Sequence, residues 1–147
     1  MVTVERSITI DRPGNEVIAY LADFGNTPEW DPGTESCDRI DRGPVAVGAT
    51  WLNVSRFRGR RTQLMYTLER YDSDRLVFVG RNKTVTATDD MTLRPLNGRT
   101  VLLYRAELRF NGAARLAAPF LRTAFERLAD EVEERLPQVL AAKTQEI

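Results

Sequence analysis

"APFLRTAFERLADEVEERLPQVLAA", residues 118 to 142, reads as one long amphipathic helix. Phe120, Ala124 and Leu128 stand four apart, and Leu121, Leu128, Val132, Leu136 and Val139 continue the same side. Glu126, Arg127, Asp130, Glu131, Glu133, Glu134 and Arg135 fill the remainder. The spacing predicts more than about five helical turns, reaching about Ala142, with an apolar stripe that another element must cover. Pro119 fits the first turn, or kinks the helix if it begins nearer Ala113.

The chain before it supplies the cover. Residues 2 to 10, "VTVERSITI", alternate so that Val2, Val4, Ile8 and Ile10 share one face, the period of a half-buried strand. "DRPGNEVIAYLADF" then places Val17, Tyr20, Leu21 and Phe24 on one helical stripe of about three turns, with Asp11 as its cap and Pro13 in its first turn. "GNTPEWDPG" ends this helix, and a second short helix can start at Pro28. Six further strands are predicted: Thr34 to Asp41, Ala49 to Phe57, Arg61 to Tyr71, Arg75 to Arg81, Lys83 to Leu93 and Arg99 to Phe110. Their connections are mostly short, so most neighbours should pair as antiparallel hairpins. The last two can also form one bent pair.

Composition narrows the function. The chain has 147 residues, 42% of them apolar, enough for one domain with its own core; residues 1–147 are read as that domain. Its 21 basic and 21 acidic side chains cancel, which argues against a nucleic-acid partner. No apolar run approaches the roughly 20 residues of a membrane span, so stable membrane insertion is not expected. "MVTVERSITI" lacks the basic start and apolar block of a signal peptide, and Cys37 has no partner for an intrachain disulfide. A cytoplasmic location is therefore expected. The chain contains no histidine, which removes the commonest general base and metal ligand. A zinc site built from one cysteine and carboxylates is improbable, and no glycine-rich phosphate loop is present, so neither metal nor cofactor is expected.

A strand, one or two helices, a run of antiparallel strands and a closing helix can leave a gap between sheet and helix, where small ligands bind. At this level the chain resembles the START-like helix-grip (SRPBCC) superfamily, and within it the polyketide cyclase/dehydratase-like branch. The residues carrying the resemblance are "ITIDRPGNEVIAYLADFGNTPEWDPG", the "VGATW" before the third strand, and "DDMTLRP…GRTVLLYRAELRFNG…AAPFLRTAFERLADEVEERL", together nearly the whole chain. The resemblance implies an α+β helix-grip fold: a curved antiparallel sheet of about seven strands wrapped around the long C-terminal helix. It covers cyclases, lipid or hormone binders and quinone-binding chaperones, so fold alone does not choose among them.

Alternation assigns the inner face. Leu102, Tyr104, Ala106, Leu108 and Phe110 oppose a charged row and so point inward; Thr62, Leu64, Tyr66 and Leu68 form a second inner row. Trp51, Asn53, Ser55 and Phe57 form a third, because Arg56 and Arg58 belong to the opposite one. "TVTATDDMTLRP", residues 84 to 95, carries one anomaly: Asp89 falls in the apolar row with Val85, Ala87, Met91 and Leu93. Two readings stand open. Asp89 lines the gap near Tyr66, Tyr104 or Asn53, holding a ligand hydroxyl or moving a proton, or a bulge at "TDD" returns it to water. Trp30 and Asp31 likewise either close the cavity mouth or anchor the turn before Pro32. The arginines of "RFRGRR", residues 56 to 61, form a hairpin tip that either is simply solvated or meets an acidic partner, a phosphate or a membrane surface.

The function expected is binding of a hydrophobic or aromatic, lipid- or polyketide-like molecule, as carrier, sensor or chaperone. The alternatives are a cyclase/dehydratase using Asp89 and the pocket tyrosines, and an interaction module without ligand. The candidate ligand contacts are Trp30, Trp51, Asn53, Tyr66, Asp89, Tyr104, Phe120 and Ala124, with Asp89 and Tyr104 the candidates for catalysis. A monomer or a homodimer is compatible with all three.

Overall fold

The computed structural model describes residues 1–143; the end of the expected domain, 144–147, lies outside the described residues. One seven-stranded antiparallel sheet carries the fold, in the order β1-β7-β6-β5-β4-β3-β2. Its strands are β1 (Val2–Ile10), β2 (Thr34–Arg39), β3 (Thr50–Phe57), β4 (Arg60–Tyr71), β5 (Arg75–Arg81), β6 (Val85–Leu96) and β7 (Arg99–Phe110). From β2 to β7 every strand pairs with its successor, as short connections dictate, and β1 closes against β7 with Ile8 opposite Leu102. β6 and β7 form one continuous hairpin from Val85↔Phe110 to Leu96↔Arg99. Its turn uses Asn97 and Gly98, both at positive φ, as a tight hairpin turn requires.

The helices lie at the sheet's inner face. α1 (Gly14–Ala22) buries Val17, Ile18, Leu21 and Ala22. Pro13, in extended conformation, is its N-cap, and no side chain caps the helix, so Asp11 does not take that role. Phe24 falls in a separate 3-10 turn, Phe24–Asn26, and α2 (Thr27–Trp30) follows with Pro28 near its start. The break after Ala22 shortens the expected stripe, and Tyr20 turns outward enough to bond Glu29 at 2.6 Å.

α3 (Ala118–Lys143) follows a 3-10 segment, Gly112–Ala117. Pro119 sits in its first turn, where a missing N–H is harmless. Pro137 lies in its interior and removes one helical hydrogen bond, a change that costs ~3 kcal/mol in an exposed helix. Burial of Val132, Leu136 and Leu140 at ~1.5–3 kcal/mol each offsets this and carries the helix through.

Arginines from the first strand and its end fix α3 along the sheet. Arg6 reaches from the inner row of β1 to Glu126 at 2.7 Å and Asp130 at 2.9 Å. Arg12 donates to the backbone carbonyls of Leu140 and Ala141 at 3.3 and 3.2 Å, satisfying acceptors that a helix C-terminus leaves open.

The core concentrates at one end of the sheet. Phe24 stacks on Phe78 with centroids 4.2 Å apart, and Trp51 meets Phe78 edge-on at 5.7 Å. Under α3's first half this packing gives way to open space.

Candidate functional site

A cavity of about 670 Å³ lies between the sheet and the N-terminal half of α3, within the size range of small-molecule sites. Leu121, Phe125, Leu128 and Val132 of α3 form its roof. Its walls are the inner rows expected from alternation: Ala106, Leu108 and Phe110 from β7, Val85 and Ala87 from β6, and Leu64 and Tyr66 from β4. Phe57 and Phe125 stack at 4.5 Å with their planes 5° apart, linking the β3–β4 hairpin to the helix.

Asp89 faces this cavity. The pairings of β6 run without a register shift through Phe78↔Asp89 and Asp89↔Ala106, so there is no bulge and the carboxylate stays in the apolar row, 8% exposed. The phenol of Tyr104, next but one across the β6–β7 ladder, donates to Asp89 Oδ1 at 2.8 Å. Burial raises the Asp89 pKa to about 7; the Tyr104 hydrogen bond opposes the rise and the charge of Asp31 adds to it. Burial likewise lifts the Tyr66 and Tyr104 phenols well above their ordinary value, so both are protonated donors at neutral pH.

A second polar group lines the same cavity. Asp31 accepts from the Gly33 N–H at 2.9 Å and from the Thr34 hydroxyl at 3.1 Å, the local turn expected before β2. It also lines the cavity, and burial raises its pKa despite those two bonds. Asn53 donates to Thr34 Oγ1 at 3.4 Å and accepts from Ser55 at 2.6 Å. Trp30 is 1% exposed and packs edge-on to Tyr104 at 6.0 Å, so it anchors the turn and borders the cavity together. Its indole N–H is buried with no protein acceptor, a state that costs ~1–3 kcal/mol.

Trp30, Asn53, Tyr66, Asp89 and Tyr104 therefore share one cavity. Trp51, Phe120 and Ala124 do not line it. Trp51 points inward but is fully buried under Phe24 and Phe78, with the Arg39 guanidinium 5.4 Å from its ring. Phe120 is 76% exposed. The inward stripe starts at Leu121, and one residue of helix turns Phe120 by about 100° away from it; Ala124 shares Phe120's side, four residues on.

One determinant was not anticipated. Gly80 lies opposite Tyr66, and a Cβ there would come within 2.6 Å of the Tyr66 ring. The ring lies across the glycine, so Gly80 holds Tyr66 against the cavity floor. A lone glycine inside the strand "RLVFVGR" is the signal for such a close approach.

Comparison with known proteins agrees with this architecture. The chain belongs to the family described as polyketide cyclase / dehydrase and lipid transport, whose model matches residues 1–141. No curated protein sequence matches it. A START superfamily protein from Mycobacterium smegmatis superposes with a TM-score of 0.79 at 10% identity, over 95% of this chain and 97% of that one. The Zhui aromatase/cyclase from Streptomyces sp. R1128 gives a TM-score of 0.73 at 14% identity, over 97% and 93% of the two chains. A protein from Thermus thermophilus gives 0.71 at 18% identity, over 95% and 98%. These establish the helix-grip fold.

Proposed function

We propose that this protein binds a hydrophobic or aromatic small molecule between sheet and α3, as a carrier, sensor or chaperone. The observation that carries the proposal is a cavity of about 670 Å³ with a predominantly apolar lining, to which the Asp89–Tyr104 pair, Tyr66, Asn53, Asp31, Glu107 and the arginines of the β3–β4 hairpin add polar groups, and which borders Trp30, whose buried N–H has no protein acceptor. Apolar walls supply affinity and the polar groups fix orientation. A ligand with an apolar body and a hydroxyl or carbonyl at one end fits: its oxygen accepts from Trp30 while a hydroxyl donates to Asp89. An open cavity speaks against an interaction module with a plugged interior. A cytoplasmic location, in keeping with the buried free thiol of Cys37, belongs to the same proposal.

The test is equilibrium titration with polyhydroxylated aromatics, fatty acids and aliphatic alcohols, read by Trp fluorescence and native mass spectrometry. Saturable one-to-one binding of an aromatic or lipid-like compound, weakened at least about tenfold by Trp30→Phe, supports the reading; no binding across the panel refutes it.

A second reading rests on Asp89 itself. A buried carboxyl with a pKa of about 7 is matched to proton transfer near neutral pH. As carboxylate it can remove an acidic proton between two carbonyls. The enolate formed then closes a ring on another carbonyl, or expels a β-hydroxyl that leaves as water after taking up a proton. Tyr104 would position the carboxylate. Turnover of a poly-β-ketone analogue, abolished by Asp89→Asn, supports this reading; unchanged turnover in that variant excludes it.

A further inference from the structure

The molecule's charges cancel overall, yet they are not evenly placed. "RFRGRR", residues 56 to 61, and "RFNGAARLAAPFLR", residues 109 to 122, together hold seven arginines and no acid. The Phe57–Phe125 stack brings the hairpin against the start of α3, so both segments frame the same end of the cavity. Arg56 and Arg61 are paired with Glu35, and Arg109 lies 3.7 Å from Glu107. Arg58, Arg60, Arg115 and Arg122 are exposed and have no carboxylate partner among the described residues.

Between Arg115 and Arg122 runs "LAAPFL", six residues without one polar side chain. Leu116 and Phe120, four apart, are 78% and 76% exposed, more than any other large apolar side chain among the described residues. Leaving them in water forfeits the burial that each such side chain normally gains. Two protruding apolar side chains accompanied by arginines without carboxylate partners match an anionic lipid surface: the chains enter the acyl boundary and the guanidiniums meet phosphates. An acidic protein would satisfy the arginines and leave the apolar pair without a shaped receptor.

We propose that this face, built from Leu116 and Phe120 with Arg58, Arg60 and Arg115, docks reversibly on an anionic membrane. Ala114, Ala117 and Leu121 of the docking segment are also cavity wall. Docking therefore sets the cavity's helix side against the bilayer, where an apolar ligand would be collected or released. Docking needs no ligand, so it stands or falls apart from the binding reading.

The experiment is co-sedimentation of the whole protein with phosphatidylcholine vesicles and with vesicles that also contain phosphatidylglycerol, at low and high salt. Binding to the anionic vesicles at low salt is expected, falling about tenfold or more at high salt and on neutral vesicles. Leu116→Ser with Phe120→Ser should reduce it about tenfold or more, and so should Arg58→Asn with Arg60→Gln, while thermal melting stays at the wild-type value. No binding to anionic vesicles at low salt, or wild-type binding by both double variants, overturns the proposal. Concentration-dependent self-association abolished by the Leu116/Phe120 variant, without vesicle binding, also overturns it and makes the face a contact between copies.

Discussion

Asp89 lies in register with Phe78, a residue with no exposed surface, so the carboxyl has an aromatic ring for its neighbour across the β5–β6 ladder. Burial, with the charge of Asp31 adding to it and the Tyr104 hydrogen bond opposing it, holds its proton to about pH 7. The sign of the consequence follows from linkage. Below about pH 4 the group is protonated in folded and unfolded chains alike. From there to about pH 7 the unfolded chain releases the proton and the folded chain keeps it, so stability falls as pH rises and levels off above. The span amounts to at most ~4 kcal/mol. Asp89→Asn keeps an acceptor for Tyr104 and removes the charge. It should be more stable than wild type at pH 8, equal to it near pH 4, and have a flatter profile between, as urea denaturation at several pH values will show.

The Tyr66–Gly80 contact predicts a different failure. Gly80→Ala puts a methyl where the Tyr66 ring lies, 2.6 Å from its Cζ, so the ring must move into the cavity. A loss of ~1–3 kcal/mol is expected by denaturant titration. Gly80→Ala with Tyr66→Leu should recover much of it, because the clash is specific to that ring.

The Phe57–Phe125 stack ties the β3–β4 hairpin to α3 at the cavity wall. Phe125→Ala removes a contact worth ~0.5–1.5 kcal/mol beyond the area it buries. Stability should fall modestly. Dissociation of a bound ligand, followed by stopped-flow fluorescence, should accelerate more than association, because the link between hairpin and helix is lost.

The sheet was legible because its signals are local and redundant. β1, β5 and β7 begin and end where alternation predicted, and the inner rows around Tyr66 and Tyr104 follow from which rows carry arginine and glutamate. Asp89 was ambiguous for a physical reason: two adjacent acids suit a bulge as well as a pocket, and only the unbroken pairing with β5 and β7 decides. Phe120 misled because helical periodicity fixes which residues share a face, not which of two neighbouring faces meets the sheet. Leu121 and Phe125 set the inward direction, and the exposed Arg127, seven residues after Phe120 and so on its side of the helix, was the sign that this side faces out. Trp51 shows the opposite limit. Alternation puts it inside correctly, but whether an inward residue meets packed core or open cavity depends on how the helices sit over the sheet.

As proposed, a ligand occupies the space under α3 and is oriented by Trp30 and Asp89. The most direct measurement follows the Trp30 indole N–H resonance during titration with the tightest compound from the ligand panel, in wild type and in Ala106→Trp, which fills the cavity from β7. A shift that saturates at one equivalent, together with loss of binding in the filled variant, is the predicted result. Binding with the Trp30 resonance unmoved, or full affinity retained by Ala106→Trp, would contradict it.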